Sequence, residues 1–118
     1  MSGRPLSFTQ EKADRVCEAI RRGLTYKQAA SYAGISYSTL NRWRIEGVQE
    51  DSSSELREFW KAFEQANGEA AFRLLGYIDN AAIAGDWKAA GWILERRFPN
   101  EWGGKQSFRN DPLDPIMP

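Results

Sequence analysis

Apolar residues recur at three- and four-residue steps along most of the chain, interrupted by short runs of glycine, serine and proline, and this period predicts an all-α protein. Ala13, Val16, Cys17 and Ile20 form the stripe of a first helix, capped by Ser7 with Gln10 or by Thr9, and stopped at Gly23. Thr25 and Gln28 form a capping box that starts a second helix at Tyr26, with a flat inner face of Ala29, Ala30 and Ala33. Gly34 ends it, because the corner needs a left-handed residue, and Ile35 turns inward to plug the angle. Ser36 caps a third helix in which Leu40 and Trp43 point back at the alanines, leaving Ser38, Asn41 and Arg42 on the opposite face. From Glu55 to about Ala84 the helical period continues through Leu56, Phe59, Trp60, Phe63, Ala66, Ala70, Leu74, Tyr77, Ile78 and Ala81, as one long helix or as two broken near Gly68 or Gly76. Gly85 closes it, and Asp86 caps a shorter helix that runs to Arg97, since Pro99 forbids continuation.

Cap, small inner residues, turn glycine, buried aliphatic and two later apolar anchors agree in register from Tyr26 to Ile45, which is a helix-turn-helix signature. A helix pair that merely packed would show the same glycine corner. Its second helix would not need Ser36, Tyr37, Ser38 and Thr39 at the start and Asn41, Arg42 and Arg44 further on. The expectation is therefore a three-helix head on double-stranded DNA, with Asn41, Arg42, Ser38 and Tyr37 at bases or adjacent backbone, and Lys27, Arg44 and Arg4 at phosphates.

Beyond the head, the predicted hairpin carries more apolar surface than two helices can cover. Unbroken, the long helix would reach about 45 Å. Trp87, Ala90, Gly91, Leu94 and Phe98 make one stripe of the short arm, while Trp92 and Ile93 lie off it. Exposed apolar area of that size calls for self-association, with Trp60, Phe63, Leu74, Trp87, Trp92, Leu94, Arg96 and Arg97 at the contact. The alternative is that the head folds back on the hairpin within one chain. The acidic, serine-rich stretch 48–54, with Ser52 and Glu55 as a second capping box, reads as a connector and hinge. The organisation expected is thus a head over 1–47, a linker over 48–54, an oligomerisation hairpin over 55–102 and an irregular tail over 103–118, in which Leu113, Ile116 and Met117 are set to dock on a partner.

Composition narrows the chemistry. With 118 residues, 42% apolar and 13% aromatic, the chain is rich enough to fold. It shows no membrane-spanning run and no signal-like start, so a place in the cytoplasm is expected. The absence of histidine and the single cysteine, on an apolar helical stripe, exclude the usual zinc-finger ligand sets. No phosphate loop or paired-carboxylate motif is present, so neither catalysis nor a cofactor or metal is expected. The zero net charge hides a split: up to Gly47 there are eight Lys or Arg against four acids, and beyond it eight against twelve. A basic head can meet phosphate while an acidic body stays off it.

The segment Asp86 to Gly103, most specifically Leu94, Glu95, Arg96, Arg97, Phe98 and Pro99 with nearby Trp102, closely resembles a stretch of the small terminase subunits of tailed bacteriophages, where it follows a helix-turn-helix and a long helix. The resemblance covers most of the chain from Phe8 to Gly103. It implies a non-catalytic subunit that assembles into a homo-oligomeric ring, recognises viral DNA and presents it to the large ATPase-nuclease subunit. Glu95, Arg96 and Arg97 would then make salt bridges across a subunit boundary, while Pro99 turns Trp102 back onto the hairpin. Equally, the two arginines suit a solvated helix end. The short Pro-rich end departs from members with a structured segment after the hairpin. Two rivals share the head: a helix-turn-helix transcriptional regulator, which would dimerise, and the DNA-binding accessory part of a transposase, whose zipper heptads the glycine-interrupted pattern fits poorly.

Overall fold

The computed structural model describes residues 7–103. Among them it is all-helical: α1 (Gln10–Arg22), α2 (Tyr26–Ala33), α3 (Tyr37–Gly47), α4 (Ser54–Ile83), α5 (Trp87–Arg97) and α6 (Pro99–Trp102). Arg4, Leu113, Ile116, Met117 and nearly all of the tail lie outside the described residues. None of the helices described is long and apolar enough to cross a membrane. The described residues up to Arg73 form one compact unit, and those from Leu74 form a second.

Local chemistry sets the ends of the first three helices. Thr9 caps α1 by accepting from the Lys12 N–H, while Thr25 and Gln28 complete a reciprocal capping box on α2. Gly23 and Gly34 both sit at positive φ, 99° and 79°, where a Cβ would be strained. At the second corner the Gly34 and Ile35 N–H groups return to the Ser31 and Ala30 carbonyls, which satisfies the end of α2 as the chain turns toward α3.

The core of the first unit draws on α4 as well as on α1 to α3. Val16, Ile20, Ala29, Ala30, Ala33, Leu40 and Trp43 are buried together with Phe8, Leu56, Phe59, Phe63 and Ala66. Aromatic edges fix the arrangement: Phe8 meets Trp43 at 4.8 Å between ring centroids, Phe59 meets Trp43 at 5.6 Å, and Tyr26 meets Phe63 at 5.0 Å. On the surface, Arg21 Nε donates to Glu69 at 2.8 Å, and Arg73 donates to the Arg21 carbonyl at 2.7 Å. The first half of α4 is therefore a wall of this unit. Cys17 is buried on α1, and loss of solvent pushes its ionisation up to about 11, so it packs as a neutral thiol.

The stretch expected to act as a hinge is pinned. Arg57 Nη2 donates to the carbonyls of Gln49 (3.1 Å) and Glu50 (2.7 Å), and its Nε reaches Ser52 Oγ, which itself donates to the Gly47 carbonyl. Ser53 Oγ, in place of Ser52, accepts from the Leu56 N–H at the start of α4. Gly47 is buried where α3 passes α4, and a Cβ there would lie 2.6 Å from the Leu56 carbonyl oxygen and 2.8 Å from Trp60 Cβ. Gly47→Ala is thus expected to destabilise the unit by about 1–3 kcal/mol through overpacking. A thermal melt of the variant checks this, and a midpoint equal to that of the parent would mean that the two helices can separate freely.

The second unit is built differently. α4 continues unbroken through Gly68 and Gly76 to Ile83; Gly85, at φ 112°, turns the chain, and the Asp86 carboxylate caps α5 by accepting from the Lys88 and Ala89 N–H groups. Pro99 opens α6. Neither α5 nor α6 contains a buried residue. Trp102, which Pro99 is expected to turn back onto the hairpin, remains 57% exposed.

Candidate nucleic-acid interface

α3 is held by its cap before any outward side chain is considered. Ser36 Oγ accepts from the Thr39 N–H at 3.0 Å, lies 2.9 Å from Thr39 Oγ1 and shares a hydrogen bond with Ser38 Oγ at 3.1 Å. Leu40 and Trp43, neither of them exposed to solvent, anchor the inner face against the alanines of α2. A helix fixed at its start and along one side presents the other side rigidly.

On that other side Tyr37, Ser38 and Arg42 are exposed and Asn41 is half-buried. Lys27 of α2 swings its Nζ over the Tyr37 ring, 5.5 Å from the centroid, so the two lie together at the first turn of α3. This cluster carries donors from a cation, a phenol, a hydroxyl, an amide and a guanidinium, a set suited to phosphate oxygens and base edges. Ile45 is 61% exposed and adds an apolar position to α3 that sequence reasoning left out, because an apolar residue in a helical period is assigned inward by default.

Arg44 departs from its expected place. Its guanidinium lies over the rings of Tyr26 (4.5 Å) and Phe63 (5.1 Å), its Nη1 donates to Asn41 Oδ1 at 3.0 Å, and its Nε is buried without a hydrogen-bond partner. Held this way, it is an internal strut rather than a side chain reaching for phosphate. No local signal reveals it, since Tyr26 and Phe63 stand far away in sequence.

The residues assigned to self-association divide. Phe63 has no exposed surface and belongs to the core of the first unit, which removes it from any contact between chains. Trp60 is half-buried beside Gly47. In the second unit Leu74, Trp87 and Trp92 are exposed and Leu94 is half-buried. Arg96 stacks on Trp92 at 4.1 Å and pairs with Glu95 at 3.6 Å, while Arg97 lies 5.5 Å from the Phe98 ring centroid. These charges have local partners and sit beside apolar rings.

Among the described residues no group of three or more His, Cys, Asp or Glu is placed to hold a metal ion. An open cleft of about 380 Å³ between α1 and α4 is lined by Gln10, Asp14, Cys17, Arg21, Glu58 and Phe59, but Arg21 is committed to Glu69 and the thiol is buried. No family model, curated protein or solved structure matches the chain.

Proposed function

We propose that this chain is the non-catalytic DNA-recognition subunit of a phage genome-packaging terminase, with α2 and α3 as a helix-turn-helix and residues 74–102 as the surface through which copies assemble. The observation that carries the reading is the outward side of α3, where Tyr37, Ser38 and Arg42 stand exposed beside Lys27 on a helix locked by its cap and its core. The resemblance of Asp86 to Gly103 to small terminase subunits supplies the packaging role. Assembly is supported by the bare apolar side chains of Trp87, Trp92, Phe98 and Trp102, which a second copy would cover. A head-to-tail contact that closes on itself makes a ring, and many modest heads then bind one duplex together.

A salt series on duplex binding tests the reading. Lys27→Ala is expected to weaken binding to every duplex alike and to lower the salt slope by about 0.9 for each lost phosphate contact. A cognate large subunit should hydrolyse ATP faster when the chain and DNA are both present. Binding with an unchanged slope in Lys27→Ala would remove that residue from the interface, and a two-fold dimer on a palindromic site would favour a transcriptional regulator.

A further inference from the structure

Asn41 and Arg44 are one turn apart on α3, yet they face different surroundings. Both are half-buried, but the Arg44 guanidinium lies over the rings of Tyr26 and Phe63, whereas Asn41 lies on the side of α3 that carries Ser38 and Arg42. The strut has depth: Phe63 beneath the guanidinium is fully buried, and the Tyr26 hydroxyl on its other support accepts from Asn67 Nδ2 of α4 at 3.1 Å. A cation stacked on two rings and tied through them to α4 is not free to follow its neighbour, so the neighbour follows it.

We propose that Arg44 is a positioning residue that turns the Asn41 side-chain oxygen inward, so that α3 offers DNA a fixed pair of amide N–H donors and selects a guanine edge at that position. This rests on the duplex-binding reading above. A freely rotating asparagine reads adenine best, because it can donate to N7 while its oxygen accepts from the N6 amino group. Here the oxygen is engaged by Arg44 Nη1 at 3.0 Å, in a charge-assisted bond that also polarises the amide and strengthens its N–H groups as donors. One lone pair of that oxygen is thereby taken and the oxygen is held toward Arg44, which leaves the amide NH₂ as the group free to meet a base. In the major groove N7 and O6 of guanine are both acceptors, whereas adenine pairs its N7 with a donor that the turned amide cannot meet.

The test is selection of bound sequences from a randomised duplex pool by the full chain and by Asn41→Ala, Arg44→Lys and Arg44→Met. Asn41→Ala identifies the base position that this residue reads. At that position the parent is expected to take guanine, and both Arg44 variants to lose about tenfold in guanine-over-adenine preference while flanking positions keep theirs. Lysine keeps the charge but lacks the planar fork, so its failure to rescue separates positioning from charge. In the free protein the Asn41 side-chain amide should be rigid by ¹⁵N relaxation and become mobile in Arg44→Lys. Adenine at the mapped position in the parent overturns the proposal, as does an amide equally mobile in parent and variant. Should the parent select no sequence, or Asn41→Ala alter no position, the recognition reading itself falls, and the amide relaxation still decides whether Arg44 locks Asn41.

Discussion

Truncating Phe63 to alanine is expected to cost about 3–5 kcal/mol, the range for deleting a fully enclosed aromatic side chain. The ring has no exposed surface, meets Tyr26 at 5.0 Å and Phe59 at 5.7 Å, and carries the Arg44 guanidinium at 5.1 Å. A domain of this size is stable by about 5–15 kcal/mol, so the change removes a large share of the total. Urea titration reads the loss as a lower midpoint. Cys17 gives an independent view: burial keeps its thiol protonated up to about pH 11, so alkylation should be slow in the parent and fast in the variant as the unit opens. A loss below about 1 kcal/mol with Cys17 still protected would mean that α4 is not a wall of the first unit.

A charge at Trp92 is expected to weaken assembly by about a hundredfold or more, the effect of removing an aromatic anchor from the centre of an interface. Trp92 is 43% exposed on a helix with no buried residue, and Arg96 stacks on it at 4.1 Å. Trp92→Glu places a carboxylate where an apolar ring would meet another copy, and burying it unpaired is costly. Because the ring is partly in water already, the single chain should keep its helix content by circular dichroism while sedimentation shows smaller species. Trp92→Phe should retain assembly. An unchanged sedimentation profile for Trp92→Glu would place the contact elsewhere on the second unit.

The corner at Gly34, the Thr25 box and the Ser36 cap were legible in the sequence because each is decided by residues within one turn of each other. The partner of each apolar stripe is decided by tertiary packing instead. Phe59 and Phe63 have the same spacing as later residues of α4, yet they are enclosed against Trp43 and Tyr26 while Leu74 and Tyr77 are exposed. A helical period cannot say where along one helix burial stops. The connector misled for a similar reason. Its acidic, serine-rich composition suggested a hinge, but Arg57, a few residues beyond it, turns back and ties its carbonyls, and Gly47 lets the two helices touch. In the same way the place of Arg44 depends on rings from two other helices, so charge alone assigned it to phosphate.

Native mass spectrometry of the intact chain mixed with duplex DNA tests the central claim most directly, because it reads assembly and DNA binding on one particle. The account predicts a single species of more than two copies that carries duplex, and that loses the duplex but keeps its copy number when Lys27 and Arg42 are both changed to alanine. Monomers or dimers alone, or a larger assembly that leaves the duplex free, would contradict it.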